Sequence, residues 1–229
     1  MSLILTLGLF GVAAYHILII AGEVLATAGA AGFISNTAPL FATAIARAAG
    51  EQVERRARLG LLVGLGGVWL ISIGGLGTSA FALNPGCLLL VLAALCWSLF
   101  FVLPRPLLTH YSPLEVTCYA VWTGSLLLVV FLPQTLIAAS TTGFIPTLAA
   151  VYLDILPTAL AYLCWSYVLA SVPISEASIY TYLIPILAAV MAYFWLGEKP
   201  TALFVLGAGA VLSGVMLTQF RRDRGVAAQ

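Results

Sequence analysis

Two stretches of this chain repeat one another at a fixed distance. Tyr15, Gly50, Glu51, Gly60, Gly67 and Val68 recur as Tyr162, Gly197, Glu198, Gly207, Gly214 and Val215, each 147 positions later, and Pro39 recurs as Pro185 one position out of step. A fixed offset of this kind marks a diverged internal duplication. Five apolar spans separate the two Gly-Glu pairs. If those spans cross a membrane, their odd number places the two copies on opposite faces, and the repeats are inverted. Inverted repeats are the architecture of many secondary transporters, so the duplication constrains function as well as fold.

Composition supplies the membrane. Hydrophobic residues make up 62% of the 229 positions and charged residues 7%, against about 25% charged in a soluble domain. Stretches long enough to cross about 30 Å of hydrocarbon run over residues 3–25, 31–49, 59–77, 86–103, 114–132, 148–172, 177–196 and 202–220, spans one to eight. Unpaired backbone groups are prohibitive in lipid, and the period-two alternation of an outer-membrane barrel is missing. The expected fold is therefore an all-α polytopic membrane protein of about eight transmembrane helices. Residues 1–77 form a first repeat of three helices, residues 86–220 a second of five, and residues 221–229 a basic tail.

The arginines orient it. The side of the membrane that receives both termini and the loops after spans two, four and six carries Arg47, Arg55, Arg56, Arg58, Arg105, Arg221, Arg222 and Arg224, and the other side only Lys199. Positive charge stays inside, so a multi-pass protein of the inner or plasma membrane with both termini cytoplasmic is expected. Met1-Ser2 offers no basic n-region, which argues against a cleaved signal. The four cysteines, Cys87, Cys96, Cys118 and Cys164, form no CxxC or Cys/His cluster and read as small packing residues.

Two spans carry matched breaks. Pro39 lies in span two and Pro185 in span seven, the corresponding helices of the two repeats. Each proline removes the hydrogen bond to the carbonyl four residues earlier, Ser35 and Thr181. Paired interruptions of this kind point to a midplane site in transporters. Ser35, Asn36 and Thr37 precede the first break, and Ser178, Tyr180, Thr181 and Tyr182 the second. These side chains either satisfy the broken backbone or meet a ligand; Asn36 is favoured for the ligand.

Ionisable groups at membrane depth are functional hypotheses by default. His16 and Glu23 are seven residues apart on one face of span one. Asp154 opens span six ahead of Pro157, Tyr162, Trp165 and Ser166, and Trp97 sits inside span four. Glu23 and Asp154 are the candidates for proton coupling, because desolvation raises a carboxyl pKa towards neutrality. His16 lacks a metal-ligand pattern and reads either as a packing histidine or as a substrate contact. Trp97, Tyr162 and Trp165 either line a cavity or fill one, whereas Trp69 and Trp195 near span ends suit interfacial anchors. Spans three and eight are rich in small residues that let helix backbones approach closely.

The stretches YHILIIAGEVLATAGAAGFISNTAPLFATAIA (15–46) and LPTALAYLCWSYVLASVPISEASIYTYLIPILAAVMAYFWLGE (156–198), with the glycine-rich span after each Gly-Glu, resemble the EamA-type transporters of the drug/metabolite transporter superfamily. The resemblance covers nearly the whole chain. It implies ten helices in two inverted repeats of five, around a central cavity that moves small organic metabolites or drugs. By motif, Tyr15, His16 and Asn36 fall on the family's third and fourth helices, Trp97 on the sixth, Tyr162 and Trp165 on the eighth, and Tyr180 and Tyr182 on the ninth. Asp154 stands where a small residue is more usual, and the first two family helices are absent. The fold expected from the resemblance is thus an incomplete EamA-like bundle of the five-plus-five type.

The leading expectation is a secondary transporter, an exporter, working by alternating access. Its partners are a small-molecule substrate, the lipid bilayer and a coupling proton, with oligomeric state left open and no cofactor or metal. A net charge of +1 gives no support for nucleic-acid binding. An intramembrane enzyme is disfavoured: HExxH is missing, a single in-span Asp argues against a two-aspartate protease, and His16 has no serine partner motif. The third reading is an inactive fragment or an assembly partner. It follows from the offset: the second repeat opens near Gly86, so its partner would begin about two spans before Met1.

Overall fold

The computed structural model describes residues 2–26, 28–76, 85–197 and 201–219, and the regular elements among them are all helices. The helices are α1 (Ser2–Leu25), α2 (Ala28–Ser35), α3 (Ala38–Ala48), α4 (Arg55–Leu76), α5 (Pro85–Val102), α6 (Pro113–Thr142), α7 (Phe144–Ser171), α8 (Ile174–Trp195) and α9 (Ala202–Gln219). Among the described residues, six helices are long and apolar enough to cross a membrane. The broken pair α2–α3 and the shorter apolar helix α9 supply the other two of the eight apolar segments. The protein is an all-α polytopic membrane protein.

Spans five and six differ from the sequence reading. A loop was expected over residues 133–147, but α6 runs on to Thr142. Pro133 costs nothing there, because it sits in the first turn after a 3₁₀ stretch, Val129–Phe131, where a missing N–H is harmless. Gly143 then makes the reversal into α7 at φ 91°, a backbone region open to glycine. A helical run of 30 residues rises about 45 Å and outreaches the hydrocarbon layer.

Packing divides the chain into two compact units, one of Met1–Ala14 with Leu103–Val172 and the other of Tyr15–Val102 with Pro173–Gln229. They cut across the two sequence repeats, since duplication records descent whereas compactness records contact. In the first unit the start of α1 lies against α6, where Gly124 leaves room for the Val12 side chain. The Thr117 hydroxyl donates to the Pro113 carbonyl (2.8 Å) and lies 2.7 Å from the buried Ser166 hydroxyl, joining α6 to α7. Ser112 and Glu115 close a capping box at the start of α6. The Arg105 guanidinium donates to the Val172 carbonyl at 2.7 Å. The face of α7 from Phe144 to Leu160 is apolar and exposed, as a lipid-facing surface is.

In the second unit α4 and α9 make the closest approach. Gly60 opposes Gly214 and Gly67 opposes Gly207, so one number rises by seven as the other falls by seven, and the helices run antiparallel. These four are the duplicated glycines, and each meets the counterpart of the other: Gly60 meets the copy of Gly67, and Gly67 the copy of Gly60. That reciprocal pattern is the one a two-fold axis produces. Beside the seam, Leu61, Val68, Ile179, Tyr182 and Val211 form a buried cluster, with the Tyr182 ring laid over Gly64. The seam is built from small residues because lipid offers no hydrophobic drive for helices to associate, which leaves close van der Waals contact to hold them.

Candidate functional site

The breaks form as the prolines require. Helix α2 ends at Ser35, residues 36 and 37 turn, and α3 restarts at Ala38 with Pro39 in its first turn. In α8 the segment Ser178–Leu183 is 3₁₀-helical and α-helix resumes at Ile184, just ahead of Pro185. The carbonyl of Thr181, expected to be freed, accepts from the Ile184 N–H instead, because tightening to 3₁₀ supplies a donor one residue nearer. Pro157 in α7 is handled another way: the turn Asp154–Thr158 widens to a π-helix, and the Thr158 hydroxyl donates to the Leu153 carbonyl (2.9 Å), which the proline leaves without its usual donor.

The polar side chains at the breaks serve the backbone first. Asn36 Nδ2 donates to the Gly32 carbonyl (2.7 Å), the Thr37 hydroxyl to Ile34 (2.6 Å) and the Thr181 hydroxyl to Ser178 (2.7 Å). What remains of the Asn36 amide oxygen and the Thr181 hydroxyl oxygen is accepting capacity. Ser35 differs from its neighbours, for its hydroxyl oxygen is buried and has no hydrogen-bond partner.

Inside the second unit these breaks border one cavity of about 250 Å³. Ser35, Asn36, Ala38 and Pro39 form one side and Thr181 and Ile184 another. Tyr15 and Ile19 of α1, with Ala94 and Trp97 of α5, complete it. The Tyr15 and Trp97 rings are stacked at 4.6 Å, and Trp97 stacks in turn on Phe100 at 5.3 Å, so the aromatic wall is braced from behind. Among the described residues, those lining the cavity include no acidic or basic side chain.

The structure thus brings Tyr15, Asn36, Trp97 and Pro39 to one cavity and leaves Pro185 beside it, next to Ile184. His16 packs edge-on against Tyr15 (5.1 Å) and is not part of the lining. Tyr180 is half-exposed and Tyr182 is fully buried in the α4–α9 core. Tyr162 and Trp165 belong to the other compact unit, where Tyr162 is buried and its carbonyl is 3.5 Å from the Thr117 hydroxyl. Glu23 is exposed near the end of α1, and Asp154 begins the π-helical turn of α7. The lining residues that sequence reasoning passed over were Ile19, Ala94, Ala38 and Ile184. Helical spacing from Tyr15 (i+4) and Trp97 (i−3) was the available signal for the first two. Groups of three or more His, Cys, Asp or Glu that could hold a metal are absent among the described residues.

Comparison with known proteins gives a consistent result. Residues 1–73 and 84–220 match the EamA-like transporter family. A protein of Streptantibioticus cattleyicolor named as a probable terminal-alkyne amino-acid exporter is 33% identical over 215 residues, which are 93% of this chain and 71% of that protein. The uncharacterized transporter YdfC of Bacillus subtilis is 34% identical over 222 residues, 96% of this chain and 72% of its own length. A solved crystal structure shares the fold at a TM-score of 0.79 and 22% identity, covering 97% of this chain and 77% of that one.

Proposed function

Because the chain belongs to the EamA-like transporter family, and is therefore a multi-pass membrane transporter and not an enzyme, we propose that it exports a small organic solute by alternating access. The solute binds in the cavity bordered by the two helix breaks. The observation that carries this reading is that Ser35 and Asn36 at one break and Thr181 at the other face a single cavity, although 145 positions separate Asn36 from Thr181. Broken helices at a shared site can bend there without losing their long-range packing. Export rather than uptake is supported by the name of the Streptantibioticus relative.

Reconstitution into liposomes loaded with a pooled metabolite panel tests the reading by counterflow. Exchange of at least one solute is expected; a folded protein that exchanges none counts against transport. An imposed pH gradient in the same liposomes asks whether Glu23 or Asp154 couples a proton: gradient-driven accumulation should then be lost in Glu23→Gln or Asp154→Asn while exchange persists. Accumulation unchanged in both variants removes these acids from the mechanism.

Trp97→Ala should lower exchange about tenfold, equivalent to about 1.4 kcal/mol, at unchanged membrane abundance, because the ring is half-buried and faces the cavity. Normal exchange in this variant places the solute elsewhere. The arginines also set the proposed orientation, with both termini in the cytoplasm of a cell whose plasma membrane holds the protein. A single cysteine replacing Arg55, in a chain cleared of native cysteines, should react with an impermeant maleimide only after the cells are opened. Labelling in intact cells reverses the topology.

A further inference from the structure

We infer that the cavity selects uncharged solutes that carry one polar end and a short apolar body; this rests on the transport reading above. Three features define that chemistry. The lining offers no counter-ion, since its polar members are Ser35, Asn36, Thr181 and the phenol and indole of Tyr15 and Trp97. A net charge moved from water into such a wall meets a desolvation penalty that nothing there repays. The ionisable neighbours on α1 do not change this: His16 lies against Tyr15 outside the lining, and Glu23, two turns further on, is exposed.

The polar end has a defined place. Thr181 has donated its hydroxyl proton and Asn36 one of its two amide protons to their own helices, so Asn36 Oδ1 and Thr181 Oγ1 stand as acceptors for a solute N–H or O–H and Asn36 Nδ2 keeps one donor. The Ser35 hydroxyl is buried without a partner and offers the cavity no accessible surface, so the polar end rests on Asn36 and Thr181. Opposite, Ile19, Ala94 and Ile184 suit an alkyl body. A volume of about 250 Å³ falls short of the roughly 300–1,000 Å³ of drug-sized pockets, so the body is short.

The test uses three probes of nearly one shape and different charge: pentanamide, uncharged, butylamine, a cation, and pentanoate, an anion. Binding to the purified full chain is read from the shift of its thermal unfolding midpoint with probe concentration. Pentanamide should half-saturate at least tenfold below butylamine and pentanoate. Asn36→Asp, which adds a negative charge at nearly constant shape, should shift preference towards butylamine by about tenfold. Thr181→Val, which removes an acceptor at nearly constant shape, should weaken pentanamide about tenfold, while Ser35→Ala should leave its binding unchanged because that hydroxyl is out of reach. Equal or tighter binding of a charged probe overturns the inference, as does binding of none or an Asn36→Asp variant with unaltered preference. Counterflow of the same probes separates the two readings: exchange of butylamine or pentanoate leaves transport standing and ends the selectivity inference alone.

Discussion

Gly67→Val should leave no folded, monodisperse protein to purify, whereas Gly66→Val, one residue away, should behave like the parent chain. A Cβ at position 67 would sit 2.6 Å from the Gly207 carbonyl oxygen and 2.7 Å from the Val211 nitrogen. Both obstacles are backbone, so no rotamer change relieves the clash. The whole of α9 would have to move away, opening the Gly60–Gly214 contact as well, because the two contacts lie on the same pair of helices. Overpacking in a soluble core typically costs about 1–3 kcal/mol. Here it also removes the close contact that holds two helices together in lipid, where apolar side chains gain nothing from leaving the solvent. At Gly66 an added Cβ meets nothing within 4 Å, and a lipid-facing valine is at home there. Size-exclusion profiles of the two variants in mild detergent decide the matter. A monodisperse Gly67→Val protein means that the α4–α9 seam is not what holds this unit together.

That seam shows what the sequence made legible. A repeat of glycines at a constant offset announced close helix contact, because glycine in a membrane helix has one common structural use. It could not announce that each glycine meets the copy of the other, since contact between repeats is a property of their mutual orientation. The same boundary runs through the site. Pro39 and Pro185 were readable as breaks from covalent chemistry alone, but the bonding around each break depends on which donors lie within reach: a nearer N–H for the Thr181 carbonyl, Asn36 and Thr37 side chains on the Gly32 and Ile34 carbonyls before Pro39, and a π-turn with a hydroxyl at Pro157. Tyr182 shared a polar, aromatic neighbourhood in sequence with Thr181, yet it points into the core while Thr181 borders the cavity. Adjacent residues on a 3₁₀ segment face about 120° apart, and without knowing the segment's rotation the two could not be ranked. The π-helical stretch Leu9–Ala14 gave no sequence sign at all, having no proline to announce it.

The second large effect concerns Glu51, one of the duplicated acids, for which the sequence showed only its place in the repeat. Its carboxylate accepts from the Ile174 N–H (3.3 Å), the Ser175 N–H (3.3 Å) and the Ser175 hydroxyl (3.1 Å). These donors open α8, and a helix leaves its first N–H groups without partners of its own. Ile174 and Ser175 are both buried, so water cannot replace the acid. A carboxylate at a helix N-terminus also gains from the helix dipole. Glu51→Ala should therefore destabilise by about 3 kcal/mol, roughly 1 kcal/mol for each of the three bonds, below the usual range for a charged acceptor because all three are long. That corresponds to a fall in unfolding midpoint of roughly 6–12 °C for a chain of this size. Glu51→Gln keeps an acceptor and should lose about half as much, whereas the exposed neighbour Gln52→Ala should change little. The link joins the loop after α3 to the start of α8, the helix whose 3₁₀ segment brings Thr181 to the cavity. A loosened α8 should therefore also exchange solute more slowly at temperatures where the variant is still folded. Equal midpoints for Glu51→Ala and Gln52→Ala would show that the first turn of α8 finds its partners without this acid.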